Sequence, residues 1–295
     1  MVPGVAKATF GTSGVPKVAF ATCGPGTDTS AVTEASTRYR RDMTAFAALH
    51  VPGSPLLLPN VWDFGTAAFL AAQGFPALGT TSLGVSAAEG EPDGAPSSKD
   101  ATVRLARRLT GLDTLISVDL AGGFSEDPGE VGALAAELAE AGVAGINLED
   151  ALGDPVRHAA KIAAAKERAP GLFVNARTDT HWLGEPDIGT AIGRCLSYVD
   201  AGADGVFVPG LAAPADVERL VEAVGVPVNL LFLPGKVTVD GLAGLGVARV
   251  SLGSLPYRMA LAATLRTVEA VRDGGELPLT PPSYADVAAL LPESH

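Results

Sequence analysis

The stretch Ala144-Gly145-Ile146-Asn147-Leu148-Glu149-Asp150 is an apolar run that ends in two carboxylates. A helix-like segment precedes it and stops at Ala141-Gly142, where glycine suits the left-handed position just past a helix end. A buried strand that opens into acids delivers them to the rim of a sheet. Other segments end comparably. Leu115–Val118 runs into Asp119, and Leu172–Ala176 runs into Arg177, Thr178 and Asp179. Leu56–Leu58 leads to Asn60, Trp62 and Asp63, Ala77–Thr81 leads to Ser82-Leu83-Gly84, and Val226–Leu231 carries Asn229.

Asp119 and Glu149 come from adjacent strands, at what reads as equivalent positions. Two carboxylates held close repel, so one keeps a proton or a cation sits between them. Oxygen ligands without His or Cys suit Mg²⁺ or Mn²⁺, and Mg²⁺ keeps several waters beside a few carboxylates. Asp93 can reach the same point from a long loop, Ser86–Pro96. Arg177 would face the metal and hold a substrate carboxylate or a developing enolate. The plainer alternative is a salt bridge from Arg177 to Glu149 or Asp179. Thr81-Ser82-Leu83-Gly84 offers hydroxyls and consecutive backbone N–H groups as a carboxylate cradle. Trp62 is a wall of the pocket or a packing residue, and Asn229 is a further substrate-binding candidate. His50, His158, His181 and His295 show no metal spacing, and Cys195 reads as core.

These residues must be positioned by the elements around them. Eight short apolar runs alternate with eight helical segments, and Gly74, Gly142, Gly202 and Gly246 each stand between a helix and the next strand. Such alternation implies a parallel sheet, and eight units imply closure into a (β/α)₈ TIM barrel with its site at the C-terminal strand ends. Asp127-Pro128-Gly129-Glu130 has the pattern of a capping box. No GxGxxG follows the first strand and no GxxxxGK[ST] occurs, so the dinucleotide and P-loop motifs are lacking.

The 295 residues divide into an extension, 1–40, read as flexible, and one barrel domain, 41–295. Folded-looking sequence begins near Met43, which reads as a candidate alternative start of translation. The net charge of -12 argues against nucleic acid as a partner. No apolar run reaches the ~18 residues of a membrane span, and the leader has no continuous apolar segment of a secretory signal. Cys23 and Cys195 form no CxxC, which fits a reducing cytoplasm.

Taken together, these pieces resemble the isocitrate lyase / phosphoenolpyruvate mutase superfamily. The matching stretches are Leu58–Asp63, Thr80–Ser82, Gly90–Gly94, Ser117–Asp119, Gly142–Asp150, Asn175–Asp179 and Ala201–Gly210, in that order, with Ser251–Gly253 and Pro282–Tyr284. The resemblance runs from about Thr44 to Leu291. It implies a barrel that forms homo-oligomers, dimers or tetramers, with a C-terminal helix exchanged between subunits. It implies Mg²⁺ on Asp119 with water-mediated support from Asp93 and Glu149, and a 2-oxo or 2-hydroxy acid chelated to that metal. Arg177 and the backbone near Thr81-Ser82-Leu83 would hold the substrate.

Two departures bear on the chemistry. The family's second acid after the third strand is Ala121 here, so one outer metal contact is absent, and such losses cost ~10–100-fold in affinity. After Glu149 comes Ala151-Leu152-Gly153-Asp154-Pro155, without the Cys of the isocitrate lyases or the gating loop of the phosphonate mutases. The reading is a Mg²⁺-dependent carbon–carbon lyase or hydrolase of a small 2-oxo or 2-hydroxy di- or tricarboxylate. An enolate would be stabilised by metal and Arg177; the residues do not single out a general base, and a metal-bound water held by Glu149 or Asp93 is one candidate. The alternatives are P–C bond chemistry on a phosphonate and a barrel that binds a 2-oxo acid without turnover.

Overall fold

The computed structural model describes residues 44–291, except 185 and 278. The expected extension, 1–40, lies outside the described residues. Proline decides how the barrel closes. Pro59 has no N–H to give, so the first strand breaks into β1 (Leu56–Leu58) and β2 (Asn60–Val61). The remaining strands are β3 (Ala77–Thr80), β4 (Leu115–Asp119), β5 (Gly145–Glu149), β6 (Phe173–Arg177), β7 (Gly205–Phe207), β8 (Val228–Leu231) and β9 (Arg249–Ser251). All pair in parallel, in the order β1-β9-β8-β7-β6-β5-β4-β3-β2. The two ends of this row are halves of one broken strand, so the sheet closes on itself. The Asn60 side chain bridges the seam: Nδ2 donates to Thr80 O at 2.8 Å, and Oδ1 accepts from Leu252 N at 2.9 Å and Gly253 N at 2.8 Å.

Helices cover the outside. A short α1 (44–48) precedes the barrel. Then come α2 (Phe64–Ala72), α3 (Ser82–Glu89), a 3₁₀ turn at Pro96–Ser98, α4 (Lys99–Leu109), α5 (Pro128–Glu140), α6 (Pro155–Arg168), α7 (Ile188–Asp200), α8 (Pro214–Val224), α9 (Val239–Gly244), α10 (Leu255–Asp273) and α11 (Tyr284–Ala288). Gly74, Gly142, Gly202 and Gly246 take positive φ where helices turn back to strands, as the sequence predicts. The capping box at Asp127 is only half made. Asp127 Oδ1 accepts from Gly129 N at 2.8 Å, while Glu130 takes the Ser125 hydroxyl at 2.6 Å instead of the cap's N–H. The loop expected from Ser86 begins later, because residues 82–89 are helical.

The bottom of the barrel is plugged. Phe46 of α1 is fully buried and meets Phe173 edge-on, with centroids 5.5 Å apart. A side chain on Gly145 would strike the Phe46 ring, so glycine is needed in β5 there. Above the plug the interior is polar. Arg249, fully buried on β9, reaches Asn147 Oδ1 of β5 at 3.3 Å. These strands are not neighbours, so the contact crosses the inside of the barrel. Asn175 Nδ2 donates to the same oxygen at 2.9 Å. Burial pulls the Arg249 guanidinium down to about 9, with the Asp119 charge opposing.

α10 breaks the pattern. None of its residues is buried, and Leu261, Leu265 and Val268 form an exposed apolar stripe at i, i+4, i+7 spacing. Leu57, the outward residue of β1, is 36% exposed.

Asp150 is structural and does not belong to the rim. Its side chain is fully buried and pairs with Arg194 Nη1 at 2.8 Å. It also accepts from Tyr198 Oη at 2.7 Å, Leu152 N at 3.0 Å and Asp179 N at 3.1 Å. Breaking a buried pair by removing one partner strands the other charge. Asp150→Ala should therefore cost about 3–5 kcal/mol, read as a lowered urea midpoint; a midpoint unchanged within error would mean the network holds nothing.

Candidate active site

Strand register decides which charged groups meet. Asp119 of β4 stands opposite Asn147 of β5, and Glu149 stands opposite Arg177 of β6. Asp119 and Glu149 are therefore not level, contrary to the sequence reading. Glu149 lies two residues further toward the mouth, where its N–H bonds Ala121 O at 2.8 Å. The chain leaves β4 through Ala121 at φ 48°, a left-handed conformation that is costly for a residue with a Cβ. Lys161 of α6 steadies this exit, with Nζ donating to Gly122 O at 3.0 Å.

Arg177 is held from two sides. Its Nη1 lies 2.8 Å from Glu149 Oε2, and its Nε lies 2.7 Å from Asp179 Oδ1. The salt bridges named as the plainer alternative are thus both present. Its third face lies over the Phe207 ring, 5.7 Å from the centroid. Burial disfavours the guanidinium charge, but Glu149, Asp179 and Asp119 outweigh that and hold it above its ordinary value. One arginine does not balance its neighbours. Burial pushes Glu149 up to about 8; Arg177 opposes this, while Asp119, Asp179 and Asp93 add to it. Burial also raises Asp93, against a bond from the Ser82 hydroxyl and with the Asp119 charge adding. Asp179 rises for the same first reason and keeps its Oδ2 buried without a partner among the described residues.

Asp119 is anchored. Thr80 Oγ1 accepts from its N–H at 2.8 Å, and its Oδ2 accepts from Ser82 N at 3.2 Å. Ser82 opens α3, with Thr81 at the cap position, so the predicted turn is a helix start. N–H groups in the first turn of a helix have no partner within it. One of them is given to Asp119, and the next belong to Leu83 and Gly84.

These groups surround a cavity of about 180 Å³, below the ~300–1,000 Å³ of sites for drug-sized ligands. Thr81, Ser82, Leu83, Asp93, Asp119 and Arg177 line it together. Three predicted residues do not. Trp62 packs edge-on against Tyr257, centroids 5.2 Å apart, which is the packing alternative. Asn229 is buried beneath the mouth and accepts from the Ser251 hydroxyl at 3.1 Å. Glu149 sits behind Arg177 and reaches the cavity through it. Asp63 caps α2, accepting from Thr66 N at 2.7 Å. The sequence reading passed over Asn147, Trp182, Phe207, Phe232, Ser251 and Arg258, which also line the cavity. Asn147 was legible as the residue two before Glu149 on one strand face. Trp182 and Phe232 follow strand exits and carry no acid, base or ligand signal.

A model of the family described as phosphoenolpyruvate phosphomutase matches residues 46–272. The chain belongs to this family, within the isocitrate lyase / phosphoenolpyruvate mutase superfamily. An uncharacterized protein of Mycobacterium tuberculosis H37Rv is 46% identical over 84% of the chain and 96% of its own length. The 2-methylisocitrate lyase of Bacillus subtilis is 32% identical over 66% of each. A crystal structure from Burkholderia cenocepacia, provisionally described as a phosphonomutase, is 36% identical with a TM-score of 0.74, covering 80% of this chain and all of that one. The (β/α)₈ architecture is shared with that crystal structure. Family membership supports an enzyme of the lyase and mutase class and leaves the reaction open.

The superfamily implies a divalent metal, and the residues present can be tested for it. Among the described residues no three His, Cys, Asp or Glu side chains stand close enough to ligate an ion by themselves. Yet Asp93, Asp119, Glu149 and Asp179 share a single guanidinium; burial raises Glu149 first, and repulsion from the other three acids adds to it. Surplus negative charge on hard oxygens fits a cation held by few direct carboxylates and several waters.

Without a cation, Glu149 keeps its proton in the folded chain and loses it in the unfolded chain between about 4.5 and 8. The folded state then binds more protons, so stability falls as pH rises through that window. Chelator-treated protein should show a urea midpoint that declines from pH 5 to 8, by on the order of a few kcal/mol, and Glu149→Gln should flatten the decline. A flat profile in the wild type would mean Glu149 ionises normally.

Proposed function

We propose that this chain is a Mg²⁺-dependent enzyme that cleaves a carbon–carbon bond in a small 2-oxo or 2-hydroxy acid through an enolate. The observation that carries the reading is Asp119, Asp93 and Arg177 facing one small cavity beside the start of α3. Asp119 would hold Mg²⁺, with Asp93 and Glu149 contributing through water, and Mn²⁺ would fit the same oxygens. When bound, the ion supplies a Lewis acid for the C2 oxygen.

The chain's own residues do the rest. The N–H groups of Leu83 and Gly84, at the positive end of α3, receive the substrate carboxylate, with Thr81 and Ser82 beside it. Arg177, fixed by Glu149 and Asp179, presents its remaining N–H groups where enolate charge develops. Asp93 lines the cavity and has a raised proton affinity, so its carboxylate takes the proton of a 2-hydroxyl as the bond breaks. Cys195 does not replace the absent lyase cysteine. It is buried in α7, and burial pushes its thiol up to about 12. The loop after β5 holds Ala151 at φ 43° and Leu152 at φ 60° and ends in the α6 cap Asp154, so it supplies no acid to the cavity.

Calorimetric titration of oxalate, an enolate mimic, with and without Mg²⁺, tests the site. Binding should need the metal and disappear in Asp119→Ala, with turnover of any accepted acid falling at least ~10³-fold. An Asp119→Ala protein that keeps metal binding and turnover would sink the mechanism.

The relative described as a phosphonomutase supports a second reading, P–C bond chemistry on a phosphonate. Phosphorus NMR of phosphonopyruvate with the protein separates the two. A chain that binds 2-oxo acids with saturation and converts none would instead be a binding barrel.

The unburied stripe of α10 and the exposed Leu57 support a homo-oligomer in which a second copy covers this side of the barrel. Sedimentation should give a dimer or larger assembly, and Leu261→Glu with Leu265→Glu should shift it to monomer. A monomeric wild type would remove this part of the proposal.

A further inference from the structure

The cavity has two unlike sides. Strands β2 to β6 deliver its polar groups, from Asn60 and Thr81 to Asp119, Asn147 and Arg177. Strands β7 to β9 deliver Phe207, Leu231, Phe232, Leu233 and Leu252, and Trp182 stands beside them after β6. The two sides meet where Arg177 lies over Phe207. Three backbone donors on the apolar side are already used. Phe232 N is given to Ser251 O at 2.9 Å, and Leu252 N and Gly253 N are both given to Asn60 Oδ1. The Ser251 hydroxyl donates to Asn229 and accepts from Arg249 Nε at 3.0 Å. Arg258 reaches this side from α10, but it is exposed and bonds only Ser254 Oγ, at 3.2 Å, among the described residues. A solvated rim charge discriminates weakly.

We infer that the acid this site accepts carries a short alkyl group against the β7–β9 side, and not a further carboxylate there. This rests on the carboxylate-head reading proposed above. A carboxylate against Phe207, Leu231, Phe232 and Leu252 would give up its water and find no donor on those side chains, only the part-exposed Trp182 indole, Ser254 hydroxyl and Arg258 guanidinium around them. An alkyl group gives up nothing and buries apolar surface against Leu231, Phe232 and Leu252. The inference narrows the di- or tricarboxylate expected from sequence: acidic groups belong at the polar side, and the remainder of the molecule is hydrocarbon.

The test is competition calorimetry on Mg²⁺-loaded full-length protein. Oxalate reports the shared head. Pyruvate, 2-oxobutyrate and 2-oxopentanoate extend it by methylenes, and 2-oxoglutarate has the last chain length with a terminal carboxylate. Each methylene should tighten binding by about fourfold. 2-Oxopentanoate should bind at least about tenfold tighter than 2-oxoglutarate. Phe232→Arg, a change at a half-buried cavity side chain, should reverse that order, with each 2-oxo acid measured relative to the variant's own oxalate affinity. If oxalate binds while 2-oxoglutarate equals or exceeds 2-oxopentanoate, the inference is overturned and the head reading stands. A loss of 2-oxoglutarate binding in Arg258→Ala would then place a distal carboxylate on the rim arginine. If oxalate and all the 2-oxo acids fail to bind, the head reading falls and this inference falls with it.

Discussion

The guanidinium of Arg177, clamped between Glu149 and Asp179, is the contact on which the site depends. It lies within a fraction of an ångström of ideal charge-assisted distance to both carboxylates. That clamp fixes the direction of its remaining N–H groups, so the donor face is set before any ligand arrives. The same clamp leaves the mouth short of positive charge. Four carboxylates interact with one arginine, and burial denies them the screening water would give. The frustration is local and has two exits, a proton on Glu149 or a cation beside Asp119. The second is the chemistry the superfamily implies.

The barrel makes this arrangement affordable. Its interior holds an arginine, Arg249, that makes no ion pair among the described residues and whose Nη1 finds no partner there. Arg249 lies under the floor of the cavity, touching Asn147 and Ser251, which line it. A fixed positive charge there offsets part of the acid surplus above. The seam works in the same direction. Pro59 splits the first strand, and Asn60 then ties β3 to the exit of β9, consuming donors that a ligand would otherwise meet. Closure of the fold and the apolar character of one side of the mouth thus share a cause.

Outside the barrel, α10 states a different constraint. A helix with no buried residue and an apolar stripe does not gain its stability from this chain's own core. Its first turn still reaches the site through Arg258, and Tyr257 packs against Trp62. Covering the stripe and fixing the rim of the cavity are therefore linked through one element.

The sequence by itself determined the repeat of strand and helix, the glycines that end helices, and the acids and arginine at strand exits. These follow from period, turn chemistry and strand direction, which are local. It also named Thr81, Ser82, Leu83, Asp93, Asp119 and Arg177, which the fold brings to one cavity. Tertiary structure decided the rest, because register and side-chain partners are not local quantities. A two-residue offset between β4 and β5 moved Glu149 away from the level of Asp119 and behind Arg177. Asp150, next in sequence, points the other way and is spent on Arg194 and Tyr198, 44 and 48 residues away. Trp62 and Trp182 look alike as tryptophans near strand ends. Only the packing of Tyr257 against one, and an open cavity beside the other, tells them apart. The division of the mouth into a polar and an apolar side was likewise invisible, since it exists only once β2 and β9 meet across the seam.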